Sequence, residues 1–310
     1  MALLNWMQRY AAEEVVEHAQ EGRCSRREMM QRLVAICGTP AVATAFLASC
    51  ASTSGGRTSA TTIVTPSSAS SAATTSAVLS VASDDPAVKG AEVTFPCPAG
   101  TLLGYLARPS IDGPRAGIIV NHEIFGLTDH IRDVVRRLAK AGYVALAVDL
   151  ASRAGGTAKA GNVAGALTQG SVADRVADLD GGYAFLQTRA DFNGKLGVTG
   201  FCFGGGMTLS FAAAQPKVLA AVAYYGPTPD PASVMSTTNA AILAQYGAND
   251  ARVNAGIDAL EKAMAGKVLE KRVYDGAGHA FNNDTGGAYV EARAVEAWTA
   301  TLDWFGRYLA

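Results

Sequence analysis

Hydrophobic and polar positions divide the chain into a weakly patterned N-terminal part and a regularly patterned remainder. From about Pro86 onward, short apolar runs typical of strands alternate with segments whose apolar residues recur at helical spacing. The pattern predicts strands at 91–95, 102–107, 117–121, 143–149, 195–199, 219–224, 241–246 and 269–274, and helices at 129–141, 171–188, 207–214, 254–265 and 287–309. This alternation predicts an α/β fold with a mostly parallel sheet covered by helices on both faces, and the first two strands predict an antiparallel edge hairpin.

Residues 1–50 resemble a bacterial twin-arginine signal segment. After a possible short helix at 6–20, Ser25-Arg26-Arg27 precedes an apolar stretch at 33–49. The stretch ends in Leu47-Ala48-Ser49-Cys50, which resembles a lipobox and would make Cys50 the lipidated first residue of the mature chain. A single transmembrane helix is the alternative, but the stretch is short for one and contains Gly38-Thr39-Pro40. The resemblance implies export to the periplasm or cell envelope as a lipoprotein, whereas a chain without a signal would be cytoplasmic.

Residues 51–85 are rich in Ser, Thr and Ala and carry few charges. Such a composition buries too little apolar surface to offset the conformational entropy of ordering the chain. We therefore predict a disordered linker here, and we expect residues 1 to about 83 to stay outside the packed fold. The globular domain that we expect to carry the catalytic residues spans residues 86–310.

The composition of the 310-residue chain excludes several classes of binding partner. A net charge of −1 argues against nucleic acid binding. The five cysteines show neither metal-site spacing nor a disulfide framework, and four histidines leave little for a metal site. No cofactor motif is recognisable, so we expect a small-molecule substrate, no metal, and membrane contact only through the N-terminal signal or lipid anchor. The sequence specifies no oligomeric state.

The clearest chemical motif is the turn Gly200-Phe201-Cys202-Phe203-Gly204, between a predicted strand and a helix of small residues. It matches the G-x-nucleophile-x-G turn of α/β-hydrolases, with Cys in place of the usual Ser. The flanking glycines suit a turn too sharp for Cβ atoms. On the turn alone, a buried Cys in a Gly-rich turn remains an alternative, because free Cys is often buried.

Other candidate residues follow later strands, where the working residues of parallel sheets lie. Asp250 follows the strand at 241–246, and His279 follows the strand at 269–274. The order Cys202, Asp250, His279 is the α/β-hydrolase order of nucleophile, acid and base. Asp250 could instead cap the next helix. Of the other histidines, His122 precedes the nucleophile and His130 is expected to be solvated at the start of a helix.

Together these motifs resemble the dienelactone hydrolase family over residues 90 to 310. The resemblance rests on the following segments: His122-Glu123-Ile124-Phe125-Gly126, Gly200–Gly205, Tyr224-Tyr225-Gly226, Asp250 and Gly278-His279-Ala280-Phe281. It implies that Glu123 pairs with the resting thiol and then takes its proton. It also implies that the backbone N–H groups of Ile124 and Phe203 form the oxyanion hole, and that Cys202 forms an acyl-enzyme with an ester or (enol-)lactone.

The resemblance implies substrate contacts as well. Arg153 matches one of two arginines that hold the substrate carboxylate, and Tyr224 matches a substrate-side tyrosine. Asn283 stands where the second arginine is expected, which favours a less acidic substrate than dienelactone. For Arg153 a solvated loop position, and for Tyr224 core packing, are the alternatives. A general carboxylesterase or acyltransferase on the same triad, and a non-catalytic envelope lipoprotein, also remain open.

The lipobox interpretation makes a direct prediction. If Cys50 carries the lipid, Cys50→Ala should move the protein from the membrane pellet to the supernatant of fractionated cells, because a lost lipid anchor removes the buried acyl chains. Cys24→Ala, outside the lipobox, is the control and should pellet like the parent chain. Unchanged pelleting of Cys50→Ala would contradict lipidation at this position.

Overall fold

The computed structural model describes residues 4–20, 24–53 and 80–310. Its helices are α1 (Trp6–Gln20), α2 (Arg26–Cys37), α3 (Pro40–Thr53), α4 (Asp129–Lys140), α5 (Val163–Thr168), α6 (Val172–Gln187), α7 (Phe203–Ala214), α8 (Ala251–Asn254), α9 (Ile257–Ala263) and α10 (Glu291–Leu309). Its strands are β1 (Val88–Cys97), β2 (Gly100–Pro109), β3 (Arg115–Asn121), β4 (Val144–Val148), β5 (Phe192–Phe201), β6 (Val218–Tyr224), β7 (Ala241–Gly247) and β8 (Leu269–Tyr274). Short 3₁₀ helices occupy Ser152–Ala154 and Ala232–Thr237.

The eight strands form one sheet in the order β1-β2-β4-β3-β5-β6-β7-β8. β1 and β2 form an antiparallel hairpin at one edge, β2 is antiparallel to β4, and the remaining neighbours are parallel. The predicted edge hairpin and the mostly parallel sheet are both confirmed. The carboxyl ends of β3, β5, β6, β7 and β8 therefore face the same edge, where the candidate residues were expected to meet.

Burial explains why the central strands read as unbroken apolar runs. Ile118, Ile119 and Val120 of β3 are inaccessible to solvent, and every residue of β4 is buried. Helices on both faces cover these strands, so no polar alternation appears in their sequences. The helix α7 is also almost completely buried, because its small residues let it pack close against β5 and β6.

Two predicted helices differ in their bounds. The helix predicted at 254–265 is two short helices, α8 and α9, separated around Gly256. The last helix begins at Glu291 rather than at 287, because the Val290 N–H donates to Phe281 O and holds the preceding residues in a loop. The later start of α10 leaves residues 287–290 in the loop that follows His279, and this loop forms one wall of the site.

The N-terminal part corrects an expectation. The predicted helix at 6–20 is confirmed, but α1 and α2 pack against the α/β domain instead of remaining outside it, and α3 packs against α2. The end of the predicted linker is also packed, since the Val81 N–H donates to Asp133 Oδ1 at 2.7 Å and Val81 is buried. Residues 54–79, the larger part of that linker, lie outside the described residues. Apolar and ionic contacts to the catalytic domain, invisible in the local pattern, explain the difference.

Within the described residues, none of the helices has both the length and the apolar composition to cross a membrane alone. The segments Arg26–Cys37 and Pro40–Ser49 meet both criteria only as a pair, and they are bent by 109° relative to each other.

The turn after β5 predicts a sharp mutational effect. A Cβ on Gly204 would lie 2.3 Å from the backbone oxygen of Asn121, which cannot move without displacing β3. We expect Gly204→Ala to destabilise the protein by about 1–3 kcal/mol, the usual range for overpacking, measured by thermal or urea unfolding. Gly306→Ala in α10 has open space around it and should be neutral or slightly stabilising. Equal stability of the two variants would contradict the close approach.

Candidate active site

Cys202 lies at the turn between β5 and α7 in a conformation that non-glycine residues rarely adopt, with φ 58° and ψ −123°. Such strain persists only where the surroundings hold it. A Cβ on Gly200 would lie 2.2 Å from Gly204 O, so the residues two before and two after the nucleophile crowd each other as predicted. The Cys202 N–H donates to Tyr224 O at 3.0 Å, which ties the turn to β6.

Asp250 and His279 meet at the same end of the sheet. Asp250 Oδ2 accepts from His279 Nδ1 at 2.5 Å, and its other oxygen accepts from the Val253 N–H at 3.2 Å. The Asp250 carboxylate therefore caps α8 and also orients the imidazole. The two roles that the sequence offered for Asp250, helix cap and partner of His279, are compatible. This bond fixes His279 with Nε2 directed toward Cys202, the orientation that a base needs.

A residue that sequence reasoning missed lies between Cys202 and His279. The Tyr10 hydroxyl of α1 donates to Cys202 Sγ at 3.2 Å and lies 3.2 Å from His279 Nε2. Glu14, one turn later, has a carboxylate oxygen 3.6 Å from the same Nε2. The helical pattern at 6–20 predicted α1 itself, but no sequence signal linked it to a site formed by strands more than a hundred residues away.

Glu123 is buried beside the site, at 3% exposure, but not in the expected pairing. Its carboxylate accepts from Asn283 Nδ2 at 2.8 Å. Across the described parts of the chain, no hydrogen bond joins Glu123 to Cys202, whose thiol instead accepts from Tyr10. Asn283, noted in the sequence only as a missing arginine, therefore positions the Glu123 carboxylate.

Burial and charge set the protonation of these groups. Burial, together with the Glu14 and Glu123 carboxylates, raises the pKa of the Cys202 thiol against the opposing effect of His279. Burial would lower the pKa of His279, but the charge of Glu14 and hydrogen bonds with Asp250 and Cys202 hold it well above its usual value. Burial would raise the pKa of Glu14, yet His279, His18 and Arg252 hold it well below its usual value. At neutral pH the site therefore contains a neutral thiol, an imidazolium and a charged Glu14.

His122 and His130, the other histidines of the α/β domain, have structural partners. His122 is inaccessible, with Nδ1 2.7 Å from Glu123 O and Nε2 accepting from the Leu150 N–H at 3.0 Å. His130 was expected to be solvated, but it is buried and bonds to Asp284 at 2.8 Å. The prediction for His130 was wrong because the loop before α10 folds over the start of α4.

Neither predicted substrate-contact residue lines the cavity that contains Cys202. The Arg153 guanidinium is bound by Asp178 of α6, at 2.9 Å from Nη2 and 3.0 Å from Nε. Tyr224 is inaccessible, and its hydroxyl bonds to Ala297 O at 3.1 Å and to Thr301 Oγ1. Its ring packs within the core, so the core-packing alternative is the one the structure supports. The structure thus lacks the cationic contacts that the resemblance implied.

The backbone N–H groups assigned to an oxyanion hole lie at the appropriate elements. Phe203 is the first residue of α7, so its N–H has no acceptor within the helix. Ile124 follows β3 by three residues and is buried at 1% exposure. Neither position conflicts with the predicted role.

Around Cys202 lies a cavity of about 620 Å³, walled by α1, by the segment after β3 and by the loop before α10. Its polar lining includes Glu14, His18, Glu123 and Asn283. One side-chain set within the described residues has the geometry to hold a metal ion: ligand atoms of Glu14, Cys202 and His279 all lie within 4.8 Å of one another. The Tyr10 hydroxyl bonds to two of the three, so a metal would have to displace it.

Comparison with known proteins identifies the family of this chain. The model of the dienelactone hydrolase family matches residues 102–309. A protein of Methylorubrum extorquens named "Putative carboxymethylenebutenolidase" is 37% identical over 250 residues, covering 75% of this chain and 86% of that protein. The Escherichia coli K12 protein of the same name is 35% identical over 246 residues, covering 74% of this chain and 90% of that one.

A solved structure extends the likeness to three dimensions. The crystal structure named "Putative Dienelactone Hydrolase" from Klebsiella pneumoniae subsp. pneumoniae superposes with a TM-score of 0.67 at 34% identity. The match covers 72% of this chain and 100% of the Klebsiella chain. The family match, the relatives and the shared α/β-hydrolase fold lead to one conclusion: the chain belongs to the dienelactone hydrolase family and is a hydrolase of the ester and lactone type.

Proposed function

We propose that the protein hydrolyses neutral carboxylic esters or lactones through an acyl-enzyme on Cys202. The observation that carries the proposal is the strained turn that presents the thiol beside a histidine whose far nitrogen is bound by Asp250. A nucleophile, a base within reach and a third group that orients the base are the parts that covalent acyl transfer requires.

The first half of the cycle forms the acyl-enzyme. The Cys202 proton passes to Glu123 or His279, and the sulfur attacks the carbonyl carbon. The carbonyl electron pair moves onto oxygen, where the N–H groups of Ile124 and Phe203 stabilise it, each contributing about 3 kcal/mol. The oxyanion then collapses, the C–O bond of the leaving group breaks, and the departing alkoxide or enolate takes a proton from the acid formed in the first step.

The second half regenerates the thiol. Neutral His279 takes a proton from water, the hydroxide attacks the thioester carbonyl, and the sulfur leaves as thiolate and is reprotonated. Thiolate is a better leaving group than alkoxide, so unactivated esters tend to return to substrate. Aryl esters and enol lactones avoid this because their leaving groups are stabilised.

The charge of the cavity supports a neutral substrate. The buried Glu123 carboxylate lines it, and the position of the second expected arginine is occupied by Asn283, whose amide bonds to Glu123. Arg153 is held by Asp178 elsewhere. Neither of the two expected arginines is therefore available to bind a substrate carboxylate, which favours a substrate without that group.

We also propose that the protein is exported, with Cys50 as the lipid attachment site. Support comes from the Ser25-Arg26-Arg27 sequence, the apolar stretch that follows it and the lipobox-like Leu47-Ala48-Ser49-Cys50. The helix α3 includes Cys50, so lipidation would require this segment to unwind or detach.

The nucleophile assignment predicts that Cys202→Ala lowers kcat/KM for aryl acetates and a neutral enol lactone at least on the order of 10³-fold. The control is Cys97→Ala, since Cys97 is a half-buried cysteine of the β1–β2 turn with no part in the site. A matched aryl ester carrying a carboxylate should react more slowly than the neutral one with the parent enzyme. Equal rates for Cys202→Ala and the parent would disprove the acyl-enzyme.

The role of Asp250 predicts a loss on the order of 10³–10⁴-fold in kcat for Asp250→Asn, because the amide favours the wrong tautomer of His279. Steady-state kinetics on an aryl acetate would measure it. Asp258→Asn, an exposed carboxylate in α9, is the matched control and should keep parental activity. If Asp250→Asn lost only stability and kept its kcat, Asp250 would be a helix cap alone.

A further inference from the structure

The helix α1 lies across the catalytic residues rather than on the outer surface of the domain. The Tyr10 hydroxyl is 3.2 Å from Cys202 Sγ and 3.2 Å from His279 Nε2, and Tyr10 is 4% exposed. A reacting carbonyl must lie about 3 Å from the nucleophile, within reach of the base. The Tyr10 hydroxyl occupies the space where that carbonyl has to lie.

Glu14 acts on the base from the same helix. Its carboxylate oxygen lies 3.6 Å from His279 Nε2, and the residue is only 3% exposed. A buried carboxylate beside an imidazole favours the imidazolium, since two opposite charges at this separation stabilise each other in a low dielectric. An imidazolium cannot accept a proton from the thiol or from water, so the docked helix removes the base from the cycle.

Contacts on both sides of the site hold α1 in this position. Arg252 of α8 binds Glu14 and Glu17, and its guanidinium lies 4.6 Å from the centre of the Tyr10 ring. Trp6 stacks on Phe203, with ring centres 6.2 Å apart and planes inclined by 27°. Because Phe203 is the residue that follows the nucleophile, the helix is anchored directly on the catalytic turn.

The connection between the N-terminal helices and the α/β domain is long enough for α1 to move away from the cleft. It contributes no strand to the sheet, and between α3 and Ser80 run residues 54–79, composed mostly of Ser, Thr, Ala and Gly with one charged residue, Arg57. A chain of that length spans up to about 90 Å when extended. Withdrawal of α1 would therefore leave the sheet and the triad in place.

We propose that the catalytic cleft is a docking surface for the chain's own helix α1, and that α1 docked there inhibits the enzyme until it is withdrawn. This regulation rests on the proposed function, because it concerns access to the same nucleophile and base. The acidic, Tyr-bearing face of α1 is the occupant, and Arg252, Phe203, Cys202 and His279 form the surface that receives it.

The test uses the full chain with substitutions on α1. Tyr10→Ala removes the group over Cys202, Glu14→Gln removes the charge beside His279 without changing shape, and Gln20→Ala alters an exposed residue of α1 as the control. Two quantities are measured: the rate of Cys202 alkylation by iodoacetamide, resolved from the other cysteines by peptide mass spectrometry, and kcat/KM for a neutral aryl acetate.

If the docked form outnumbers the open form about tenfold, Tyr10→Ala should raise both rates about tenfold. Gln20→Ala should change neither. Unchanged or lower rates in Tyr10→Ala would overturn the proposal and make α1 a working part of the site. Faster alkylation without ester hydrolysis in any variant would support the docking and disprove the proposed function, so the two failures are distinguishable.

The pH dependence of kcat/KM distinguishes an electrostatic effect of Glu14 on His279 from a purely structural role of Glu14. The groups that face His279 are Tyr10 and Glu14 of α1, Cys202, Glu123, Tyr225 and Asp250. Because Glu14 raises the pKa of His279, the base becomes available only above that raised value. Glu14→Gln should therefore move the acid limb of kcat/KM to lower pH. A limb that stays in place would count against the contact.

If Tyr10→Ala does not fold, a second variant tests the same point. It is a shortened chain that begins at Ser80 and keeps the Val81–Asp133 contact. The Klebsiella relative, matched over its whole length by 72% of this chain, is a folded protein of that extent. The shortened chain should show the same rise in alkylation as Tyr10→Ala. A Cys202 alkylation rate equal to that of the full chain would overturn the proposal.

Discussion

The close approach of two backbone segments at the β5–α7 turn is the constraint on which the rest of the site depends. Gly200 and Gly204 lie against each other, and Gly204 also lies against the end of β3, so no side chain fits at either position. This contact forces Cys202 into its strained conformation and places the N–H of Phe203 at the start of a helix. It also fixes the distance between the nucleophile and the residues after β3, among them Glu123. One steric condition thus sets the relative positions of the Cys202 thiol, the Glu123 carboxylate and the Phe203 N–H.

Around that turn the protein concentrates charge in a buried space. Asp250, His279, Glu14 and Arg252 form a connected chain of opposite charges running from α8 through the base to α1 and back. Each member is stabilised by the next, since a buried charge without a partner is strongly unfavourable. The thiol is the neutral member, with its pKa raised by burial and by the nearby carboxylates. A neutral thiol is also the form least open to oxidation, which would suit the exported protein that we propose.

The N-terminal helices unite two features that seemed separate in the sequence. A segment that resembles an export signal also contains the residues that contact Cys202 and His279. Both properties can belong to one segment if the enzyme is held inactive while α1 remains docked. The same helix supplies one carboxylate of the cavity, so the acidity of the cavity depends on whether α1 is docked.

The sequence by itself determined the fold class and the strand and helix order, and it singled out Cys202, Asp250 and His279 as candidates, because apolar periodicity and the glycines of the turn are local signals. It also predicted α1 with its correct bounds. Tertiary structure alone decided the partners of long side chains: Asn283 with Glu123, Asp178 with Arg153, Thr301 with Tyr224. It likewise decided that Tyr10 and Glu14 reach the site. Such pairings join residues far apart in the chain and depend on how whole elements pack, which no local pattern encodes.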